Sequence, residues 1–107
     1  MKNMYVIRTE GCMGTESRTW IVTQDCIITY SLVSYIATTV DWAVATIYQN
    51  GSVIKEAPLP CLDVALRNDV GHFYAKSGDI IRISCNISSC DGTKCGASST
   101  FNALALN

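Results

Sequence analysis

Six cysteines are the richest source of chemistry in this chain of 107 residues: Cys12, Cys26, Cys61, Cys85, Cys90 and Cys95. A high, even count in so short a sequence predicts disulfides and an oxidising compartment. Cys90 and Cys95 flank the Asp91-Gly92-Thr93-Lys94 turn, which would bring their Cβ atoms together. The pairing expected from spacing is 90–95, 12–26 and 61–85, one of about fifteen arrangements. Zinc is the rival reading. Structural zinc sites favour C-x₂₋₄-C knuckles, and Cys85-x₄-Cys90-x₄-Cys95 lies at the edge of that range with a single histidine in the chain. No metal site is therefore expected, and a blue-copper site, which needs two histidines, is excluded.

Catalysis finds little to build on. Any Ser-His-Asp or Cys-His arrangement would have to use His72, which stands between Gly71 and Phe73 in a strand-like stretch. The aspartates at 41, 63, 69, 79 and 91 are scattered and turn-associated, as Asp is wherever it bonds its own backbone. The chain has neither a phosphate loop nor an EF-hand loop. The reading is of a non-enzyme with no catalytic residue and no cofactor. Aromatic side chains are the natural material of a contact site. Tyr48, beside the Asn50-Gly51 turn, is the one expected to be exposed, so Tyr48 and Asn50 are the candidate ligand contacts. Trp42 and Phe101 are expected in the core.

The elements that would hold these residues read as strands. Residues 4–9, 19–23 and 26–36 are rich in Ile, Val, Thr, Tyr and Trp, the types that fit a pleated surface. Residues 42–48 alternate and run into Asn50-Gly51, a hairpin signal because both central residues of a type I′ turn need positive φ. Residues 52–55 return. Pro58 and Pro60 mark 56–61 as a crossing loop or sheet edge. Leu62, Ala65 and Leu66 have helical spacing, which predicts one short helix near 61–67. Residues 72–75, 80–85 and 101–106 complete the set. Seven to nine short strands make an all-β fold: one antiparallel β-sandwich domain over 1–107, jelly-roll or Ig-like, disulfide-stabilised. The run YQNGSVI, HFYAKSGDIIRIS, FNALAL is similar in pattern to small jelly-roll or fibre-head sandwiches.

One strand breaks the usual rule. An antiparallel sandwich strand buries one face and wets the other. In 26–36 both faces are largely apolar, with Ile27, Val33 and Tyr35 on the side opposite Ile28, Leu32 and Ile36. A neighbouring subunit covering that second face would explain it. Tyr5, Val6 and Ile7 join these three as candidate interface residues, since a terminal strand could add to a neighbour's sheet.

Composition points the same way. Charged residues are 16% of the chain against a usual figure of about 25%. Ten Ser and ten Thr supply part of the missing solvation, and covered surface would supply the rest. A net charge of −1 gathers no phosphates, so nucleic-acid binding is not expected. No apolar run reaches the roughly 20 residues of a membrane-spanning helix, so membrane insertion is not expected. Arg8 and Glu10 interrupt the stretch where a signal peptide would be apolar. Export would then follow removal of an earlier signal or carriage in a virion. The expected function is a structural subunit that assembles with itself through β-edges, in an extracellular filament or on a virion surface. The alternatives are a monomeric or dimeric head for a glycan or protein receptor, and a small secreted inhibitor or effector.

Overall fold

The computed structural model describes residues 3–38, 40–59, 65–88 and 94–106. Eight strands account for most of them: β1 (Met4–Met13), β2 (Glu16–Ile21), β3 (Cys26–Ile36), β4 (Ala43–Gln49), β5 (Ser52–Leu59), β6 (Ala65–Ala75), β7 (Ile80–Ile87) and β8 (Cys95–Leu106). They form two four-stranded sheets with orders β1-β8-β3-β6 and β2-β7-β4-β5, and every pairing is antiparallel.

The order has a simple origin. β4 pairs with β5, β3 with β6, β2 with β7 and β1 with β8. The chain is thus one long antiparallel hairpin, folded at its middle and wrapped into two layers. The pairs β3–β8 and β4–β7 then close each sheet. This is the eight-stranded jelly roll; an immunoglobulin sandwich distributes its strands as ABED and CFG instead. The tip of the hairpin is Asn50-Gly51, at φ 52° and 83°. Positive φ at both positions matches the twist of the flanking strands and explains why Asn and Gly stand there.

Between the layers lies the core. Ile28, Leu32, Ile36 and Phe101 enter from the first sheet, and Trp20, Ile47, Ile81 and Ile83 from the second. Trp20 and Phe101 meet across the gap with ring centroids 6.0 Å apart. Alanines at 43, 45, 57, 97, 103 and 105 fill inward positions where larger side chains would hold the layers apart. Two buried hydroxyls are satisfied: Ser34 donates to the Ala57 carbonyl at 2.7 Å, and Ser99 to the Ser84 carbonyl at 2.9 Å.

The structure corrects the helix expected near 61–67. Ala65, Leu66 and Arg67 belong to β6, with Leu66 turned out to solvent, and residues 61–64 lie outside the described set. Leu66 is followed by outward Asn68, Val70, His72 and Tyr74, a period of two that extends well beyond the three residues with helical spacing. The return strand expected to end at 55 continues through Pro58. There it forms the outer edge of its sheet, where a missing N–H disturbs no ladder.

Candidate functional site

Residues opposite one another in an antiparallel pair share a face of the sheet. The registers of β1-β8-β3-β6 therefore define its outward face. Val6, Leu104, Ile27 and Tyr74 form one row across the four strands, and Thr9, Asn102, Thr29 and His72 the next. Gly11, Thr100, Ser31 and Val70 follow, then Met13, Ser98, Val33 and Asn68, and finally Gly96, Tyr35 and Leu66. Met4 and Leu106 close the opposite end. Among the described residues, no strand position on this face is an Asp, Glu, Lys or Arg; Lys94, exposed just before β8 and bonded through its carbonyl to the Ala37 N–H, stands at its margin. Its ends are apolar, and the band between them carries hydroxyl, amide and imidazole groups around Val70. On β6 the apolar side chains stand clear of the sheet, with Leu66, Val70 and Tyr74 at 72%, 70% and 75% exposure.

The charges have gone to the edges. Three ion pairs occur among the described residues: Arg8 with Glu10, Arg18 with Glu16 at 2.6 Å, and Arg67 with Asp69 at 2.8 Å. Each joins residues two apart along an edge strand: β1, β2 or β6. Each also shares a register row with core residues, Arg8 and Glu10 opposite Ala103 and Phe101, Arg18 opposite Ile83. They thus lie at the rim of the inward side. The fourth edge, β5, carries Lys55 and Pro58. Inward-turned charges and proline are how sheets prevent edge-to-edge addition. This fold guards all four of its edges and leaves one broad face uncharged.

Of the six interface residues expected from sequence, Val6, Ile27, Val33 and Tyr35 lie together on that face. Tyr5 does not: it pairs with buried Ala105, and its hydroxyl donates to Gln24 Oε1 at 3.3 Å. Ile7 sits at the bulge between Val6 and Arg8 and packs against the core. The whole of β1 is bonded to β8 in its own domain, so the terminal strand is already used. Leu66 was missed because a helical reading of 61–67 hid its alternation, and Val70 and Tyr74 because the strand expected at 72–75 was too short to show theirs.

The outward face of the other sheet differs. Arg82 lies 3.8 Å from the centroid of the Tyr48 ring, and Glu56 faces Thr46. A groove of about 410 Å³ runs between Trp42 and Tyr48, with Thr46, Glu56, Ser84 and Asn86 along it. Trp42 is not in the core, as expected from sequence, but 36% exposed. It is firmly held: its N–H donates to Ser88 Oγ at 3.1 Å, and its carbonyl accepts from the Ser88 N–H at 2.9 Å. Ser88 and Thr38 both donate to the buried Asp41 carboxylate. Asn50, the other candidate contact, is occupied at the hairpin tip. It donates to Asp79 at 3.0 Å and accepts from the Ile80 N–H at 2.9 Å.

Two of the expected cysteine pairings are overturned. Cys12 faces Cys85 with sulfurs 3.4 Å apart, while Cys26 lies toward the other end of the sheet. Ile27 is level with Leu104, which puts Cys26 level with Ala105, while Cys12 is level with Ser99, so roughly 20 Å of strand separates Cys12 from Cys26 at about 3.3 Å per residue. Cys12, Cys26 and Cys85 are free thiols, and no two described cysteines are bonded to each other. Cys95 is disulfide-bonded, and its partner lies outside the described residues. Cys61 and Cys90, with the expected 90–95 bridge, also fall outside them. Burial pushes the Cys12 thiol up to about 12, with help from its hydrogen bond to Cys85. Among the described residues no three His, Cys, Asp or Glu side chains gather as metal ligands would.

No family model matches the chain, and no curated protein matches it in sequence. Solved structures resemble it in fold. The Drosophila NLP core, described for pentamer formation and histone binding, is 15% identical with a TM-score of 0.51, over 91% of this chain and 97% of that one. Dimeric latent PorU from Porphyromonas gingivalis is 14% identical at a TM-score of 0.48, over 87% of this chain and 10% of that one. A chain of infectious bursal disease virus, Gx strain, is 13% identical at 0.41, over 96% and 32%. This chain thus spans about a tenth of PorU and a third of the viral protein. At 15% identity the likeness to the NLP core is one of fold alone.

Proposed function

We propose that this chain is a non-enzymatic structural subunit that packs against a second copy of itself through the outward face of β1-β8-β3-β6. The observation that carries the reading is that no described strand residue on that face is an Asp, Glu, Lys or Arg, beside edges that all bear charge or proline. Assembly through β-edges, as expected from sequence, is disfavoured by those edges; a face-to-face contact is not. The dimensions also suit a stable pair. Four strands about 4.8 Å apart and some ten residues long at about 3.3 Å each give roughly 600–700 Å², close to the 800 Å² per partner of a standard interface. Leu66, Val70 and Tyr74, each about 70% exposed, would gain roughly 1–2 kcal/mol apiece on burial. A two-fold contact counts them twice, giving about 6–12 kcal/mol against an association cost of similar size. An extracellular or virion-surface setting belongs to this proposal.

Sedimentation of the purified chain tests it. The wild type should run as a dimer or larger, and Val70→Lys should run as a monomer with an unchanged circular dichroism spectrum. A wild type that stays monomeric at high concentration overturns the proposal.

A second reading has its own support in the groove beside Trp42. An exposed indole on a backbone anchored to Ser88, flanked by hydroxyl, amide and carboxylate groups, is suited to a sugar ring, which offers an apolar face and a hydroxyl rim. Binding on a glycan array that is lost in Trp42→Ala would favour this binding-module reading.

A further inference from the structure

We infer that Cys12 and Cys85 form a single disulfide that staples the two sheets together at the β1–β2 corner. Cys12 points inward from edge strand β1, level with Ser99, and Cys85 points inward from β7, level with Ala45. They belong to different sheets, and their sulfurs meet across the interlayer gap at 3.4 Å. A disulfide needs about 2.05 Å, a closure that small rotations of the two side chains supply. The layers are close at this point because only Gly14 and Thr15 carry the chain from β1 to β2. Gly14, at φ 74°, makes that tight passage without strain. No other described cysteine competes, since Cys26 is level with Ala75 near the far end of β3.

Burial and the nearby Glu16 carboxylate both disfavour a thiolate at Cys12, and Arg18 only partly offsets them. The Cys85 thiol faces the Cys12 carbonyl at 3.4 Å and Ser99 Oγ at 3.3 Å, which orients it beside its partner. Because burial holds Cys12 protonated, the folded protein is a poor nucleophile there. The bond therefore forms as the chain folds, or slowly through opening of edge strand β1. The chemistry is thiol–disulfide exchange with a small-molecule disulfide such as oxidised glutathione. One cysteine thiolate attacks it and expels one glutathione thiol; the second cysteine then displaces the other glutathione. Two protons and two electrons leave the protein, and one glutathione disulfide becomes two thiols. The product closes a loop between residues 73 apart in sequence and fixes β1, with the outward residues Val6 and Met13, to the body of the fold. This inference does not depend on self-association.

The full-length reduced chain refolded in a glutathione redox buffer provides the test. After acid quench and alkylation in denaturant, mapping should recover a fragment linking Cys12 to Cys85, with Cys26 quantitatively alkylated. Cys85 and Cys90 share one tryptic fragment, so the linked peptide must be sequenced by tandem mass spectrometry. Recovery of Cys12 and Cys85 as separate alkylated or glutathionylated residues, or of Cys12 joined to Cys26, overturns the inference. The oxidised wild type should melt about 10 °C or more above a Cys12→Ser/Cys85→Ser variant oxidised in the same way, which keeps the Cys95 bond, as expected for a long closed loop. The same gap should appear in a Cys26→Ala background. The mapping result stands whether or not a Cys12 variant folds.

Discussion

Tyr35 of β3 packs its ring against Gly96 of β8, so that a Cβ at residue 96 would clash with the ring at Cε1. The same arrangement recurs between Tyr30 and Gly71 of β6. In both cases a glycine opposite a tyrosine lets the ring cover the neighbouring strand. At Gly96 the result is a low apolar floor at one end of the uncharged face, beside a cleft of about 340 Å³ lined by Met13, Val33 and Tyr35. Gly96→Ala should lift the ring and cost about 1–3 kcal/mol, the usual penalty of overpacking. Chemical denaturation would measure it. In a Tyr35→Ala background the same change should cost little, and an undiminished cost would show that the glycine serves its backbone instead.

Truncation in the core should separate sharply from truncation on the surface. Leu32 and Ile47 are fully buried, one in each sheet. Leu32→Ala or Ile47→Ala should each destabilise the fold by about 2–5 kcal/mol, from lost transfer energy and the cavity left behind. Val53→Ala, at an exposed position on edge strand β5, should stay within about 0.5 kcal/mol. Thermal melts of the three variants would check this.

Strand identity was legible wherever one period ran long enough. Residues 26–36 show their double apolar character directly, and the structure places Ile28 and Leu32 between the layers and Ile27 and Val33 outside. The Asn50-Gly51 turn was equally plain, because few other residue pairs accept positive φ twice in succession. The sheet order was not legible. Pairings such as β1 with β8 join residues up to about a hundred positions apart, and nothing local in Val6 or Leu104 specifies the other. The cysteine pairing failed for the same reason: sequence proximity favoured 12 with 26, whereas the fold brings 12 to 85. Trp42 was misplaced because a Trp at the start of an alternating strand resembles core until Ser88, distant in sequence, is seen to hold it outward.

Alkaline pH should weaken the reduced protein through Cys12. Its folded thiol is raised to about 12 from an ordinary 9.0, chiefly by burial. The unfolded chain releases this proton first, so stability is intact below about pH 9 and falls as pH rises from there toward 12. Urea midpoints between about pH 8 and 10 should decline in reducing buffer, and Cys12→Ala should flatten the decline. Oxidation should flatten it too if the Cys12–Cys85 bond has formed, since a disulfide does not titrate.

Acid should act through Asp79. Its carboxylate accepts from the Lys76 N–H at 2.8 Å, Gln49 Nε2 at 3.0 Å and Asn50 Nδ2 at 3.0 Å. These bonds tie the β6–β7 turn to the tip of the β4–β5 hairpin. They hold the Asp79 carboxyl below its ordinary 3.8, the Lys76 backbone bond foremost. A folded value below the unfolded one means that the contribution is fully present above about pH 4. It is lost as pH falls through the folded value, because protonation removes the acceptor charge. Asp79→Asn removes that charge at every pH while keeping one acceptor oxygen. The urea midpoint of the wild type should therefore exceed that of Asp79→Asn at neutral pH, and the two should converge as pH falls through the lowered folded value. A gap that stays constant from pH 7 to the acid limit would mean that Asp79 acts through its shape, with its ionisation contributing nothing to the lock between the two turns.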